Sequence, residues 1–114
     1  MKNYKFAAVL LLLFVPFILM AHPPKKVNLK YDKETKILSI CLPHAVKDIN
    51  KHYIDKITIS VNGEEFKVLE YKAQTSEASH KVEIKLPDLK KGDKVKVEAK
   101  CNKMGKKSST IVIK

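Results

Sequence analysis

From residue 27 to residue 113 the chain alternates apolar and polar positions in short runs, each closed by turn-forming residues. Period-two alternation of this kind marks half-buried strands, because successive side chains point to opposite faces. Residues 27–31 form the first run. Asp32-Lys33-Glu34-Thr35 makes a turn, and residues 36–42 form a β-branched run that ends at Pro43. Residues 53–61 follow, with Tyr53, Ile57, Ile59 and Val61 expected on one face. Asn62-Gly63 is a strong hairpin signal, and residues 65–72 are its partner strand. Residues 73–79 are small and polar, a loop. Residues 80–86 place Val82, Ile84 and Leu86 inward, with His80 read as a surface residue at the strand start. A turn containing Gly92 leads to residues 94–101, where Val95, Val97, Ala99 and Cys101 share a face. Residues 102–107 turn, and residues 110–113 close the chain. Seven short strands at regular spacing, with no helical periodicity after residue 21, predict an all-β fold. The expected architecture is a seven-stranded antiparallel immunoglobulin-like sandwich.

The alternation has one sharp boundary, at the N-terminal end. Met1-Lys2-Asn3-Tyr4-Lys5 is a short basic start, and residues 6–21 form an almost wholly apolar run interrupted by Pro16. Ala21 is a small residue suited to the last position before a cleavage site. Residues 1–21 are therefore expected to be a signal peptide. An uncleaved membrane anchor is the rival reading, and 16 apolar residues fall short of the roughly 20 that a spanning helix needs. Residues 22–114 then form one domain of 93 residues, exported to the periplasm or secreted.

Charge narrows the partners. All 23 basic residues are lysine, and without Lys2 and Lys5 the domain carries 21 lysines against 12 acids, a net of +9. Export argues against nucleic acid as a partner, and the lack of arginine removes the usual bidentate reader of phosphate and guanine. Most lysines alternate with apolar residues, as in Lys94-Val95-Lys96-Val97, which is the pattern of a solvated strand face. Weak contact with an anionic membrane or cell wall is compatible with this charge.

Chemistry is confined to a few positions. The chain has no glycine-rich phosphate loop and no carboxylate cluster at a telling spacing. What it has is His22, His44, His52, Cys101 and Met104, a set of imidazole and sulfur donors suited to iron, copper or zinc. His44 and His52 flank the longest central loop, where two imidazoles can converge. Cys101 ends a strand and opens a turn. Cleavage after Ala21 gives His22 both an imidazole and a free amine. The two cysteines, Cys41 and Cys101, also allow a disulfide in an oxidising compartment, and alternation alone leaves both readings of Cys101 open.

Pro43-His44 and Lys51-His52-Tyr53-Ile54-Asp55-Lys56-Ile57 resemble the Pro-His-Pro-Met … His-Tyr-Ile segment of superoxide reductases, the neelaredoxins and the iron-binding domain of desulfoferrodoxins. Cys101-Asn102-Lys103-Met104-Gly105 is similar to that family's Cys-Asn-x-His-Gly, and His22-Pro23-Pro24 falls near its His-x-Pro segment. The resemblance spans nearly all of residues 22–114. It implies an immunoglobulin-like sandwich and one non-haem mononuclear iron. His22, His44 and His52 would be equatorial ligands and Cys101 an axial, electron-donating cysteinate. It also implies reduction of superoxide, supplied by an external electron donor or periplasmic partner. The chain departs from the family in four places. Met104 stands where the fourth histidine falls. His52 stands eight positions after His44 rather than six. Ala45-Val46 replaces Pro-Met, and Met20-Ala21 replaces the Glu-Lys before the first histidine.

Two other functions fit the same residues. A periplasmic copper-binding or carrier protein would use His22 with its amine, His44, His52, Met104 and Cys101, a mixed nitrogen and sulfur set. Its layout is similar to that of CopC-type copper carriers, small sandwiches that begin with histidine. A metal-free sandwich acting as an interaction module would instead join Cys41 to Cys101.

Overall fold

The computed structural model describes residues 24–114. The proposed signal segment 1–21 and His22 lie outside the described residues. The seven strands are β1 (Asn28–Asp32), β2 (Ile37–Pro43), β3 (Ile54–Val61), β4 (Glu64–Glu70), β5 (Ser79–Lys85), β6 (Lys94–Cys101) and β7 (Lys106–Val112), with no helix among the described residues. All strand pairs are antiparallel. One sheet has the order β1-β2-β5 and the other β4-β3-β6-β7.

The core lies between the sheets and follows directly from the alternation. Leu38, Ile40 and Leu42 of β2 meet Ile57 and Ile59 of β3 and Val95, Val97 and Ala99 of β6, all essentially inaccessible to solvent. Their transfer from water is the main force holding the layers together. The turns use the chemistry their positions demand. Asp32 Oδ1 accepts from the backbone N–H groups of Glu34 and Thr35, closing the β1–β2 turn. Asn62 and Gly63 both adopt positive φ, 52° and 84°, as the tight β3–β4 hairpin requires.

Two expectations are corrected. The last strand starts at Lys106, four residues before the predicted run, because polar residues 106–109 pair with β6 on an exposed edge. An edge strand needs little apolar content to be held by its ladder. Tyr53 does not share the face of Ile57 and Ile59. The β3–β6 register shifts between Ile54 and Lys56, so Ile54 pairs with Cys101 and Lys56 with Lys100, leaving Asp55 as a bulged residue. The extra residue reverses the parity of the strand. Ile54 is buried, Tyr53 is only half-buried, and His52 is carried round to the inner side.

Candidate metal centre

Each donor of the centre continues a core stripe to the end of its strand or just beyond it. His44 follows Leu38, Ile40 and Leu42 at the same parity, just beyond β2, and is 1% exposed. Two further backbone bonds, His44 N to Ala78 O at 3.0 Å and Val46 N to Glu77 O at 2.8 Å, carry the extended pairing past Pro43. Cys101 follows Val95, Val97 and Ala99 at the end of β6 and is 2% exposed. His52 reaches the same interior because of the bulge at Asp55.

These three side chains converge. One ligand atom from each of His44, His52 and Cys101 lies within 4.8 Å of the others. His52 Nε2 is 3.1 Å from Cys101 Sγ, and the two imidazoles pack edge to face with centroids 4.7 Å apart at 89°. Two donors on one ion, each about 2.0–2.3 Å from it, stand roughly 3–4 Å apart. The trio therefore fits a single ion with small shifts. Its donor set, two imidazoles and a thiol, suits iron, copper and zinc and is a poor match for calcium or magnesium.

Comparison with known protein families, curated proteins and solved structures finds no match.

The geometry of the centre is held from outside by two residues. Asn102 clamps the segment carrying His52. Its Oδ1 accepts from Tyr53 N at 2.9 Å, its Nδ2 donates to Lys51 O at 3.0 Å, and its own N–H donates to Tyr53 O at 2.9 Å. Cys101 thus supplies a donor atom while the next residue fixes a second donor's backbone. Gln74, 3% exposed, grips His44. His44 Nδ1 and Gln74 Oε1 are 2.7 Å apart, and Gln74 Nε2 donates to His44 O at 2.7 Å and to Ser76 O at 2.9 Å. A polar loop gave no reason to expect a buried glutamine, and the sequence carries no signal for it.

The remaining candidates fall elsewhere. Met104 sits in the turn after Cys101 and is 51% exposed. Cys41 and Cys101 are both free, not a disulfide. Cys41 lies between the buried residues Ile40 and Leu42, so the strand pleat turns it to the outer face of its sheet, away from the core that holds Cys101. His80 is no surface residue. It is wholly buried, because it shares the parity of Val82, Ile84 and Leu86, and the strand pleat draws it inward with them. Its ring stacks edge-on with Tyr71 at 4.4 Å. Burial first, and the nearby His44 second, hold the His80 pKa below its ordinary value. Burial likewise pushes the Tyr71 phenol up.

Proposed function

We propose that the chain is an exported, superoxide-reductase-like (desulfoferrodoxin-type) domain in which His44, His52 and Cys101 hold one mononuclear non-haem iron. The observation that carries this reading is the convergence of those three donors, drawn from positions 44, 52 and 101, within 4.8 Å at the end of an apolar core. They are three of the four positions that the family resemblance marks as iron ligands. His22 is the proposed further imidazole. The strand arrangement supports an immunoglobulin-like sandwich: β2 and β3, neighbours in sequence, lie in different sheets, and β5 returns to pair with β2.

Within this reading the chain's own groups have distinct tasks. Cys101 provides a thiolate that donates electron density, and His44 and His52 provide neutral imidazoles. The surrounding core, with Leu42 and Ile54 inaccessible, shields His44 and Cys101 from water, while His52 is half-buried. Bound iron would supply the electron that reduces superoxide. The external electron donor is a partner of the exported protein.

Copper is the second reading, favoured by one observation. Two imidazoles and a thiol within 4.8 Å of one another form a mixed nitrogen and sulfur set that suits copper as well as iron, and Met104 lies exposed in the turn after Cys101. The metal-free module drew on a Cys41–Cys101 disulfide, and those thiols are free.

The test is the metal content of protein purified anaerobically. About one iron per chain, with a visible charge-transfer band on oxidation that is lost in Cys101→Ser, is the expected result. One copper per chain selects the carrier reading. No metal in the wild type overturns both.

A further inference from the structure

We infer that Gln74 is the positioning residue of the centre: by fixing the tautomer and orientation of His44 it presents Nε2 as the donor atom. This rests on the metal-centre reading above.

A glutamine amide has one oxygen, which only accepts, and one NH2 group, which only donates. Gln74 Nε2 faces two backbone carbonyls, His44 O at 2.7 Å and Ser76 O at 2.9 Å. Carbonyls only accept, so the amide can be placed only one way round. Its Oε1 must then receive a proton from the remaining neighbour, His44 Nδ1, 2.7 Å away. A neutral imidazole with its proton on Nδ1 carries its in-plane lone pair on Nε2. The nitrogen that His44 can offer to an ion is therefore Nε2.

Gln74 also holds the ring in place. It binds both the side chain and the backbone oxygen of the same residue, so rotation of the imidazole breaks contact with a group already gripped. Its own N–H donates to Ile49 O at 3.0 Å, which ties it to the loop joining His44 and His52. Gln74 is buried while Thr75, Ser76 and Glu77 beside it are exposed. Burying an amide is costly unless its groups are paired, and here they are paired almost wholly around one histidine. Such outer partners commonly change metal affinity by about 10–100-fold when removed.

The test uses the full-length protein with two readouts. Ring-nitrogen NMR of the metal-free protein reports the His44 tautomer, and titration with zinc(II) under anaerobic, reducing conditions reports affinity. The wild type should show the proton on Nδ1. Gln74→Met, which keeps length but no hydrogen bonds, should mix the tautomers and weaken zinc about 10–100-fold. Gln74→Glu keeps an acceptor for Nδ1 and should hold the tautomer; its second oxygen meets the His44 and Ser76 carbonyls where an NH2 group stood, so the tautomer and not the zinc affinity is its readout. A wild-type His44 protonated on Nε2 overturns the assignment, whether or not the variants fold. So does Gln74→Met with unchanged tautomer and affinity, or Gln74→Glu with the tautomers mixed as in Gln74→Met, which would make Gln74 a loop staple only. A wild type that binds no zinc overturns the metal reading instead, and the NMR result then decides the role of Gln74 alone.

Discussion

His44 and His80 are both buried histidines, and adjacent residues of one loop serve them with opposite polarity. Gln74 Oε1 accepts from His44 Nδ1 at 2.7 Å, which places the lone pair on Nε2. The Thr75 backbone N–H donates to His80 Nδ1 at 3.3 Å, so His80 Nδ1 is the acceptor and its neutral ring carries the proton on Nε2. That Nε2 is buried with no hydrogen-bond partner. One imidazole is thus prepared to ligate, and the other has its Nδ1 engaged as an acceptor while its ring packs edge-on against Tyr71. The lesson is that burial alone does not make a histidine a ligand. The atom facing its other nitrogen decides.

The contrast breaks most visibly when either ring is removed. His44→Ala should reduce metal from about one ion per chain to none, measured by elemental analysis after anaerobic purification, and His52→Ala and Cys101→Ser should do the same. His80→Phe should leave the metal content unchanged. Retention of full metal by His44→Ala would end the assignment of the centre. His80→Ala acts on stability instead. It leaves a cavity beside the Tyr71 ring and should cost about 2–5 kcal/mol in urea unfolding of the metal-free protein, with a loss below about 0.5 kcal/mol counting against a packed role.

Much of this was legible before the structure. The strand pattern placed six of the seven strands to within two residues, and it put Cys101 on the face of Val95, Val97 and Ala99. The same parity, carried two residues further, would have buried His44 after Leu42 and His80 before Val82. Both signals are present in the sequence, yet His80 at its strand start reads as exposed and His44 reads as the flank of a loop. No glycine or proline marks the bulge at Asp55, and its one trace in the sequence is the break in alternation at Ile54-Asp55, where a carboxylate falls on the face of Tyr53, Ile57, Ile59 and Val61. That bulge is what brings His52 inward. Gln74 was illegible for another reason: its partner is thirty residues away, and only the folded loop brings them together.

A smaller effect separates the histidines by pH. His80 is held neutral by burial first and His44 second, so its folded pKa lies below the ordinary imidazole value of 6.5. The unfolded chain therefore binds more protons than the folded one as pH falls through 6.5. The contribution of a neutral His80 is fully present above that value and is lost progressively toward the lowered folded pKa. The melting temperature of the metal-free protein should fall on acidification from pH 7.5 to 5, and His80→Phe should flatten that slope. Equal slopes in wild type and variant would mean that some other group carries the acid sensitivity.

The smallest effect belongs to the second thiol. Cys41 pairs in register with Lys81 and Asn28 on the outer face of its sheet, whereas Cys101 lies inside against His52. Cys41→Ser should change stability by less than about 0.5 kcal/mol and leave metal binding untouched. Under mild oxidation the wild type should show no Cys41–Cys101 bridge in a non-reducing mass map. For that bridge to form, one strand would have to turn its side chain through to the opposite face, which moves a whole register of core residues out of the interior. A bridge found in the folded protein would therefore contradict the parity of β2, and with it the inward placement of His44 that the centre depends on.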